Sequence, residues 1–229
     1  MVSFSFVLAQ SASADEAKYL EFFEEFQGFL KEGAVTDYQY KEELGKLMRM
    51  ESSHTQPEKL TSLDAYVERM PKEQEEIFYL VSPRRDFAES SPYYEGFKKK
   101  GIEVLFLYST LDDFVMNNIG NYKGKRLVSI ESADVSQAAE SPEVAAAAES
   151  ELPKEQLETL RSWIKNALED RVSSVKESQR LIDTPAIVID HESASMRRMM
   201  RFVDPKVFVC VCVCVCVCVC VRASVEASY

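Results

Sequence analysis

The two histidines of this sequence are the residues best suited to metal or acid–base chemistry. His191 and Glu192 have the types and order that open a zinc-protease helix, in which a second histidine follows three residues after the glutamate. Ser195 occupies that position, so the motif is incomplete. His54 lies in a polar stretch and is interpreted as solvated. Since no Gly-x-Ser-x-Gly elbow is present either, we predict no catalytic residue and no metal ligand.

Two acidic pairs have the composition of an acid–base dyad, Asp112-Asp113 and Glu75-Glu76. Adjacent carboxylates more often cap a helix or face solvent. Asp112-Asp113 precedes a short apolar segment that ends at Gly120. We therefore predict that this pair caps a helix.

A nucleotide site needs a backbone that can approach phosphates closely. The turn after the apolar run Ile77–Val81 reads Ser82-Pro83-Arg84-Arg85 and contains no glycine, and the 7 glycines of the chain are scattered. We predict no phosphate-binding loop and no cofactor in this chain. The basic cluster Lys98–Lys100 precedes Gly101, where cations complement the dipole of a helix C-terminus.

All 6 cysteines lie between Cys210 and Cys220 and alternate with valine. In a strand, cysteines two residues apart are separated by about 6.6–6.8 Å with parallel side chains, a poor geometry for a disulfide. Soft-metal binding by the thiols is an alternative. A simpler explanation is a GT dinucleotide repeat, which encodes valine and cysteine alternately. We therefore expect residues 205–229 to be a low-complexity tail that was not selected to fold.

The formal net charge of −11 disfavours binding to nucleic acid or to an anionic membrane. No apolar run reaches the length of a membrane-spanning helix. Residues 1–12 include an apolar stretch without a basic n-region, so secretion is not expected.

The elements that would position any site centre on residues 77–131. Ile77–Val81, Val104–Tyr108 and Leu127–Ile130 are short, nearly continuous apolar runs, typical of parallel strands covered on both faces. Helical crossovers fit between them. We predict an α/β fold, α+β overall, in which a small three-layer unit contains a short parallel sheet with right-handed crossovers.

A helical segment precedes this unit, over residues 13–70. A capping box at Ser13–Glu16 and Gly33 would bound the first helix, and Thr36-Asp37 would cap a second helix that runs through Met50. A third would begin at Thr61 or Ser62 and end at Met70. The first helix carries a broad apolar arc that is rich in aromatic residues. We interpret this arc as core packing; its members are Tyr19, Phe22, Phe23, Phe26, Phe29 and Leu30.

The composition changes abruptly at residue 132. Residues 132–152 are acidic and alanine-rich, as expected of a solvated linker. An amphipathic helix containing Trp163 and a short strand at Ala186–Ile189 are predicted beyond it. Ser195–Phe202 is predicted to be a basic, methionine-rich helix.

An ordered set of motifs resembles the heat-shock-protein-90 chaperone family, closest to its mitochondrial and bacterial members. No single motif decides the resemblance, but the set runs in order through residues 13–204. The matching stretches are Lys18-Tyr19 to Phe22-Phe23, Lys31-Glu32-Gly33, Leu47-Met48-Arg49 with Glu51-Ser52-Ser53, Leu60–Leu63 with Tyr66 and Arg69-Met70, Ser91–Glu95 to Lys98–Gly101 and Glu103–Leu105, Arg171-Val172, Val175-Lys176, Arg180-Leu181 and Asp183–Ala186.

The resemblance implies a layout and a function. Residues 13–131 would be the later part of the middle domain, and 153–204 the start of a truncated α+β C-terminal domain. Members of the family are homodimers that use ATP and Mg and act in protein folding and the stress response. By this resemblance, the present chain would lack the ATP-binding domain and the dimerisation helices. Unfolded client proteins, and cochaperones, would be its partners, with clients contacted through Met196, Met199, Met200 and Trp163. An ordinary core helix is the alternative interpretation of the methionine segment. Tyr93-Tyr94 favours the mitochondrial type over the cytosolic one, so a mitochondrial location is expected and a cytoplasmic one is the alternative.

Two other functions are also compatible with the sequence. One is a small nucleotide-using α/β enzyme with a helical accessory domain, which would bind ATP or NAD. The other is an acidic scaffold, which would not prefer unfolded protein to folded protein.

Overall fold

The structure, a computed structural model, describes residues 15–37, 39–131, 154–168, 172–177, 184, 186–189 and 211–215. The described residues divide into two compact units. The first contains those up to Ala88 together with Glu103–Ser129, and the second contains Glu89–Ile102 and those from Ile130 onward. The predicted leader, the predicted linker and Ser13 of the predicted capping box lie outside the described residues.

A six-stranded mixed sheet forms the centre of the first unit, with the order β2-β1-β4-β3-β6-β5. Its middle is parallel, because β3 pairs in parallel with both β4 and β6. The outer pairings of β1, β2 and β5 are antiparallel. The strands are β1 Arg49–Ser52, β2 Thr61–Ser62, β3 Glu76–Val81, β4 Leu105–Leu107, β5 Asn121–Tyr122 and β6 Lys125–Ser129.

The predicted fold class and the three apolar strands are therefore confirmed. Tyr79 faces Leu105 and Ile77 faces Leu127 in the parallel registers, and all of β4 is buried. The predicted short parallel sheet is the middle of a larger mixed sheet, because antiparallel strands extend it on both sides.

The six helices of the described residues up to Ile119 differ in part from the prediction. Helix α1 begins after Asp15, whose carboxylate accepts the Lys18 N–H, and continues through Gly33 to Thr36. The predicted end at Gly33 and the predicted cap at Thr36-Asp37 were both wrong. The helices are α1 Glu16–Thr36, α2 Lys41–Leu47, α3 Leu63–Arg69, α4 Arg85–Glu89, α5 Pro92–Lys100 and α6 Thr110–Ile119.

Residues 49–52 correct the prediction of a helix through Met50 followed by a polar loop. Helix α2 ends at Leu47, and β1 pairs antiparallel with β2 on one side and with β4 on the other. All four residues of β1 are buried. Hydrogen bonding to two distant strands therefore overrides the helical periodicity.

Helix α6 begins with a capping box. The Ser109 hydroxyl accepts the Leu111 N–H, and Asp112 Oδ2 accepts the Ser109 N–H at 3.1 Å. The N-cap is therefore Ser109 rather than the predicted Asp112-Asp113, although Asp112 takes part in the cap. Gly120 follows the helix with φ 65°.

The core of the first unit is rich in tyrosines with hydrogen-bonded hydroxyls. Tyr66 donates to the Glu103 carbonyl oxygen at 2.8 Å, and Tyr122 donates to Asp64 Oδ1 at 2.7 Å. Tyr19 and Phe23 of α1 pack with Leu47. Phe26 and Phe29 are 48% and 74% exposed, so the prediction that the whole apolar arc of this helix packs in the core was wrong.

The second unit contains α5, which ends at Gly101 in the left-handed conformation with Lys98–Lys100 in its last turn, as predicted. It also contains α7 Lys154–Leu168, whose Ile164 and Leu168 pack against Val172 and Val175. None of the described helices in either unit is both long and apolar enough to cross a membrane.

A three-stranded sheet, β7-β9-β8, belongs to the second unit. Its strands are β7 Val172–Glu177, β8 Ala186–Ile189 and β9 Val211–Val215. The predicted strand at Ala186–Ile189 is confirmed. Strand β9, from the Val-Cys tail, is parallel to β7 and antiparallel to β8. The origin of the tail in a non-coding repeat stays a prediction.

Candidate functional site

A groove of about 1010 Å³ is the candidate site of the first unit. We call it the α1 groove. Its apolar lining includes Phe23 from α1, Met50 from β1 and Phe106 from β4. Pro57 and Leu60, from the segment before β2, also line the groove. The groove therefore has an apolar floor of the kind that contacts side chains of a ligand.

A buried ion pair joins α1 to α6 at the wall of the groove. Lys31 Nζ lies 2.7 Å from Asp112 Oδ1, and both side chains are nearly covered. Lys31 Nζ also donates to Gln27 Oε1 at 2.8 Å. Because Asp112 also accepts the Ser109 N–H, the pair holds the start of α6 against the C-terminal half of α1.

Glu51 is the centre of a second polar network in the groove. Its Oε2 accepts from Arg85 Nη1 at 2.9 Å and from the Tyr108 hydroxyl at 2.8 Å, and its Oε1 accepts the Glu58 N–H. Arg85 also donates to the Thr55 carbonyl oxygen at 2.8 Å. The network joins β1, the segment before β2, the start of α4 and the residue that follows β4.

Arg49 is a buried cation beside the groove, with 8% of its surface exposed. Its guanidinium stacks 4.6 Å from the centre of the Tyr19 ring, and Nη1 donates to the carbonyl oxygens of Lys46 and Met48. Nε has no acceptor among the described residues. Burial lowers the pKa of Arg49 and raises the pKa of Tyr19 to about 12.

These contacts limit what the groove can do chemically. Asp112 and Glu51 each contact a cation and accept further hydrogen bonds, so the contacts of both carboxylates are structural ones within the fold. Within the described ranges, no group of three histidine, cysteine or carboxylate side chains is placed to hold a metal ion.

The chain matches a known protein family. The family described as Hsp90 protein matches residues 4–205. The chain belongs to the Hsp90 family.

Curated Hsp90-family relatives cover most of the chain. The mitochondrial TNF receptor-associated protein 1 homolog of Dictyostelium discoideum is 41% identical over 205 residues, 86% of this chain and 28% of that protein. Chaperone protein HtpG of Desulfotalea psychrophila is 42% identical over 84% of this chain and 32% of its own length. The mitochondrial heat shock protein 75 kDa of Bos taurus is 38% identical over 82% of this chain and 27% of its own length. The chain thus spans about a third of the length of these relatives.

ATP and Mg are the cofactors that the resemblance to the Hsp90 family implies, and the absence of a site for them in this chain stays a prediction. Arg85, the first residue of α4, contacts Glu51 and the Thr55 carbonyl oxygen. Gly101 and Gly120 follow helices, and Gly124 lies in the turn between β5 and β6. These residues are therefore assigned no role in nucleotide binding.

The client-contact residues predicted for the Hsp90-family chain are only partly described. Trp163 lies on α7 and is 66% exposed, while Leu157 of the same helix is buried. Met196, Met199 and Met200 lie outside the described residues, as do His191 and Glu192. The contact of clients with the three methionines therefore stays a prediction.

Other residues singled out from sequence have structural partners. His54 is about half exposed, and its Nδ1 lies 3.7 Å from Glu103 Oε2. Sequence reasoning missed the α1 groove, because its walls come from segments far apart in the chain. The alternation of apolar and charged residues from Met48 to Glu51 is the one local signal, and it falls where the predicted helix ends and the predicted polar loop begins.

Proposed function

We propose that this chain is part of an Hsp90-type molecular chaperone and contacts unfolded or partly folded client proteins. Membership of the Hsp90 family, with a match over residues 4–205, is the observation that supports the proposal. Relatives named as chaperones share 42% identity with it. An exposed Trp163 and an apolar groove are surfaces of the kind that such contacts use.

The position proposed for the chain is the later middle domain, residues 13–131, and the start of the C-terminal domain, residues 153–204. The order of the resembling motifs supports this position. The ATPase and the homodimer would then be properties of the longer protein, which would act with ATP and Mg and with cochaperones.

The position is tested by calorimetric titration of the full chain with ATP and Mg. We expect no saturable heat. Saturable binding of ATP would overturn the proposed position and would favour the rival interpretation as a nucleotide-using enzyme.

Client contact is tested with the only tryptophan of the chain, Trp163, as reporter. The probe is reduced and carboxymethylated ribonuclease A, which is permanently unfolded and contains no tryptophan, and native ribonuclease A is the control. We expect the unfolded probe to bind saturably and to shift the Trp163 emission to shorter wavelength. Equal affinity for the two forms would contradict a chaperone and favour an acidic scaffold.

A mitochondrial location is proposed because two relatives carry that word in their names. The bacterial HtpG relatives make the bacterial type the alternative. Fractionation of source cells with an antibody against residues 41–131 would test it. Recovery in the cytosolic fraction would contradict it.

A further inference from the structure

Helix α1 presents an aromatic face that does not line the α1 groove. Phe22, Phe26 and Phe29 follow one another at four- and three-residue steps and so share one side of the helix. The rings of Phe22 and Phe26 are stacked with centres 4.9 Å apart. Phe26 and Phe29 are exposed, and we call these three residues the aromatic stripe. A contiguous exposed aromatic surface is a typical mark of an interaction site.

Gly33 continues the line of the stripe one turn beyond Phe29. Glycine inside a helix lowers its stability relative to alanine, and α1 contains both Gly28 and Gly33. Neither has a positive φ, and a Cβ at either position would meet no described atom within 4 Å. Packing within the described residues therefore does not require glycine at Gly33. A flat surface beside Phe29 would instead allow a partner to approach the helix closely.

The charge of α1 indicates the chemistry of that partner. Its two lysines are already paired, Lys18 with Asp15 and Lys31 with Asp112. Its five glutamates make no ion pair with any described residue. Glu25 and Glu32 lie along one edge of the aromatic stripe, and both are exposed. An apolar surface with an anionic edge complements an apolar segment with a cationic edge.

We propose that the aromatic stripe binds a cationic amphipathic helix, whose apolar face covers Phe26 and Phe29 while its lysines or arginines meet Glu25 and Glu32. The helix would lie across the stripe close to Gly33. This inference rests on the proposed function, since it names the class of client segment that the chain takes.

The test uses two synthetic helix-forming peptides of leucine, alanine and one charged residue type. In the first, lysines flank the leucine face; in the second, glutamates replace all lysines. Binding of each labelled peptide to the full chain is measured by fluorescence anisotropy at low and high salt. We expect the lysine peptide to bind at least about tenfold more tightly than the glutamate peptide, with the difference falling at high salt.

Variants of exposed residues locate the binding site without unfolding the chain. Phe26→Ser with Phe29→Ser should weaken the lysine peptide about tenfold or more, and Glu25→Gln with Glu32→Gln should remove most of its salt dependence. Phe87→Ser is the matched aromatic control, since Phe87 is 55% exposed elsewhere in the same unit. Glu68→Gln with Glu73→Gln is the matched charge control. Both controls should bind as the unchanged chain does.

Three results would overturn the inference. These are equal affinity for the two peptides, undiminished binding by the Phe26→Ser, Phe29→Ser variant, and self-association in sedimentation that this variant abolishes while no peptide binds. The third would assign the stripe to a second copy of the chain. If unfolded ribonuclease A binds but the lysine peptide does not, the inference fails and the proposed function holds. If neither binds, the proposed function fails.

Discussion

Lys31 in α1 and Asp112 in α6 form a nearly buried ion pair, with Nζ 2.7 Å from Oδ1. The same carboxylate accepts the Ser109 N–H at the start of α6. One side chain thus caps a helix and fastens that helix to α1. The wall of the α1 groove depends on this arrangement.

Lys31→Met tests the pair, because it keeps the helix propensity and leaves the Asp112 charge without its cation. We expect a loss of about 3 kcal/mol in the free energy of unfolding, measured by urea denaturation and circular dichroism. Lys18→Met is the matched control in the same helix, since the Lys18–Asp15 pair is exposed and should contribute less than about 1 kcal/mol. Equal effects of the two variants would contradict a structural role for Lys31.

A second ion pair predicts a difference between arginine and lysine at position 69. The guanidinium of Arg69 contacts both oxygens of the buried Glu103 carboxylate, at 3.1 and 2.6 Å, and also donates to Thr61 Oγ1. Lysine keeps the charge but not the two-pronged geometry. Arg69→Lys should therefore cost about 1–2 kcal/mol of unfolding free energy. Arg84→Lys, at an exposed pair with Asp86, should change it by less than about 0.5 kcal/mol.

Buried tyrosines predict a loss of stability in alkali. Burial raises the pKa of Tyr19 and of Tyr66 from 10.0 to about 12, and burial with Asp64 nearby raises the pKa of Tyr122. Between pH 10 and 12 the folded state keeps these protons while the unfolded state releases them. The stabilisation present below pH 10 is therefore lost as the pH rises through this window, by up to about 1.4 kcal/mol per pH unit for each group.

Urea denaturation at several pH values from 8 to 11 measures this slope. The Tyr19→Phe variant should have a shallower slope above pH 10, because it removes one titrating hydroxyl. It should also be about 1 kcal/mol less stable at neutral pH, since the hydroxyl donates to the Leu47 carbonyl oxygen at 2.6 Å. An unchanged slope would contradict the neutral, buried state of Tyr19.

Trp163 should contribute little to the stability of α7. It is 66% exposed, whereas Leu157 of the same helix is 5% exposed. Trp163→Ala should change the free energy of unfolding by less than about 0.5 kcal/mol, and Leu157→Ala should cost about 2–3 kcal/mol. A large effect of Trp163→Ala would show that the ring packs in the fold and is not free for clients.

The parallel strands could be predicted from sequence, whereas the α1 groove could not. Strands β3 and β4 are continuous apolar runs, a local pattern that only burial on both faces explains. Strand β1 mixes Arg49 and Glu51 with an apolar residue, and its extended state comes from pairing with β4, far away in the chain. Local periodicity carries no information on such a partner.

The apolar arc of α1 shows a second limit of the same kind. Periodicity places Phe23 and Phe26 on the same broad apolar arc of α1. The arc is wider than the core that covers it, so Phe23 is buried and Phe26 is exposed. Only the neighbours brought by the fold, such as Leu47, decide which part of the arc is covered.

Gly33→Ala separates the stability of α1 from its proposed binding role. Position 33 has no positive φ and leaves open space for a Cβ, so alanine should stabilise the folded chain by about 0.5–1 kcal/mol. Gly101→Ala is the opposite case, because Gly101 has φ 66°, and should destabilise by about 1 kcal/mol. Thermal and urea unfolding measure both changes.

If Gly33 permits close approach of a partner helix, Gly33→Ala should lower the affinity for the lysine peptide although it stabilises the fold. Stabilisation with unchanged peptide affinity would show that the partner does not pass over Gly33.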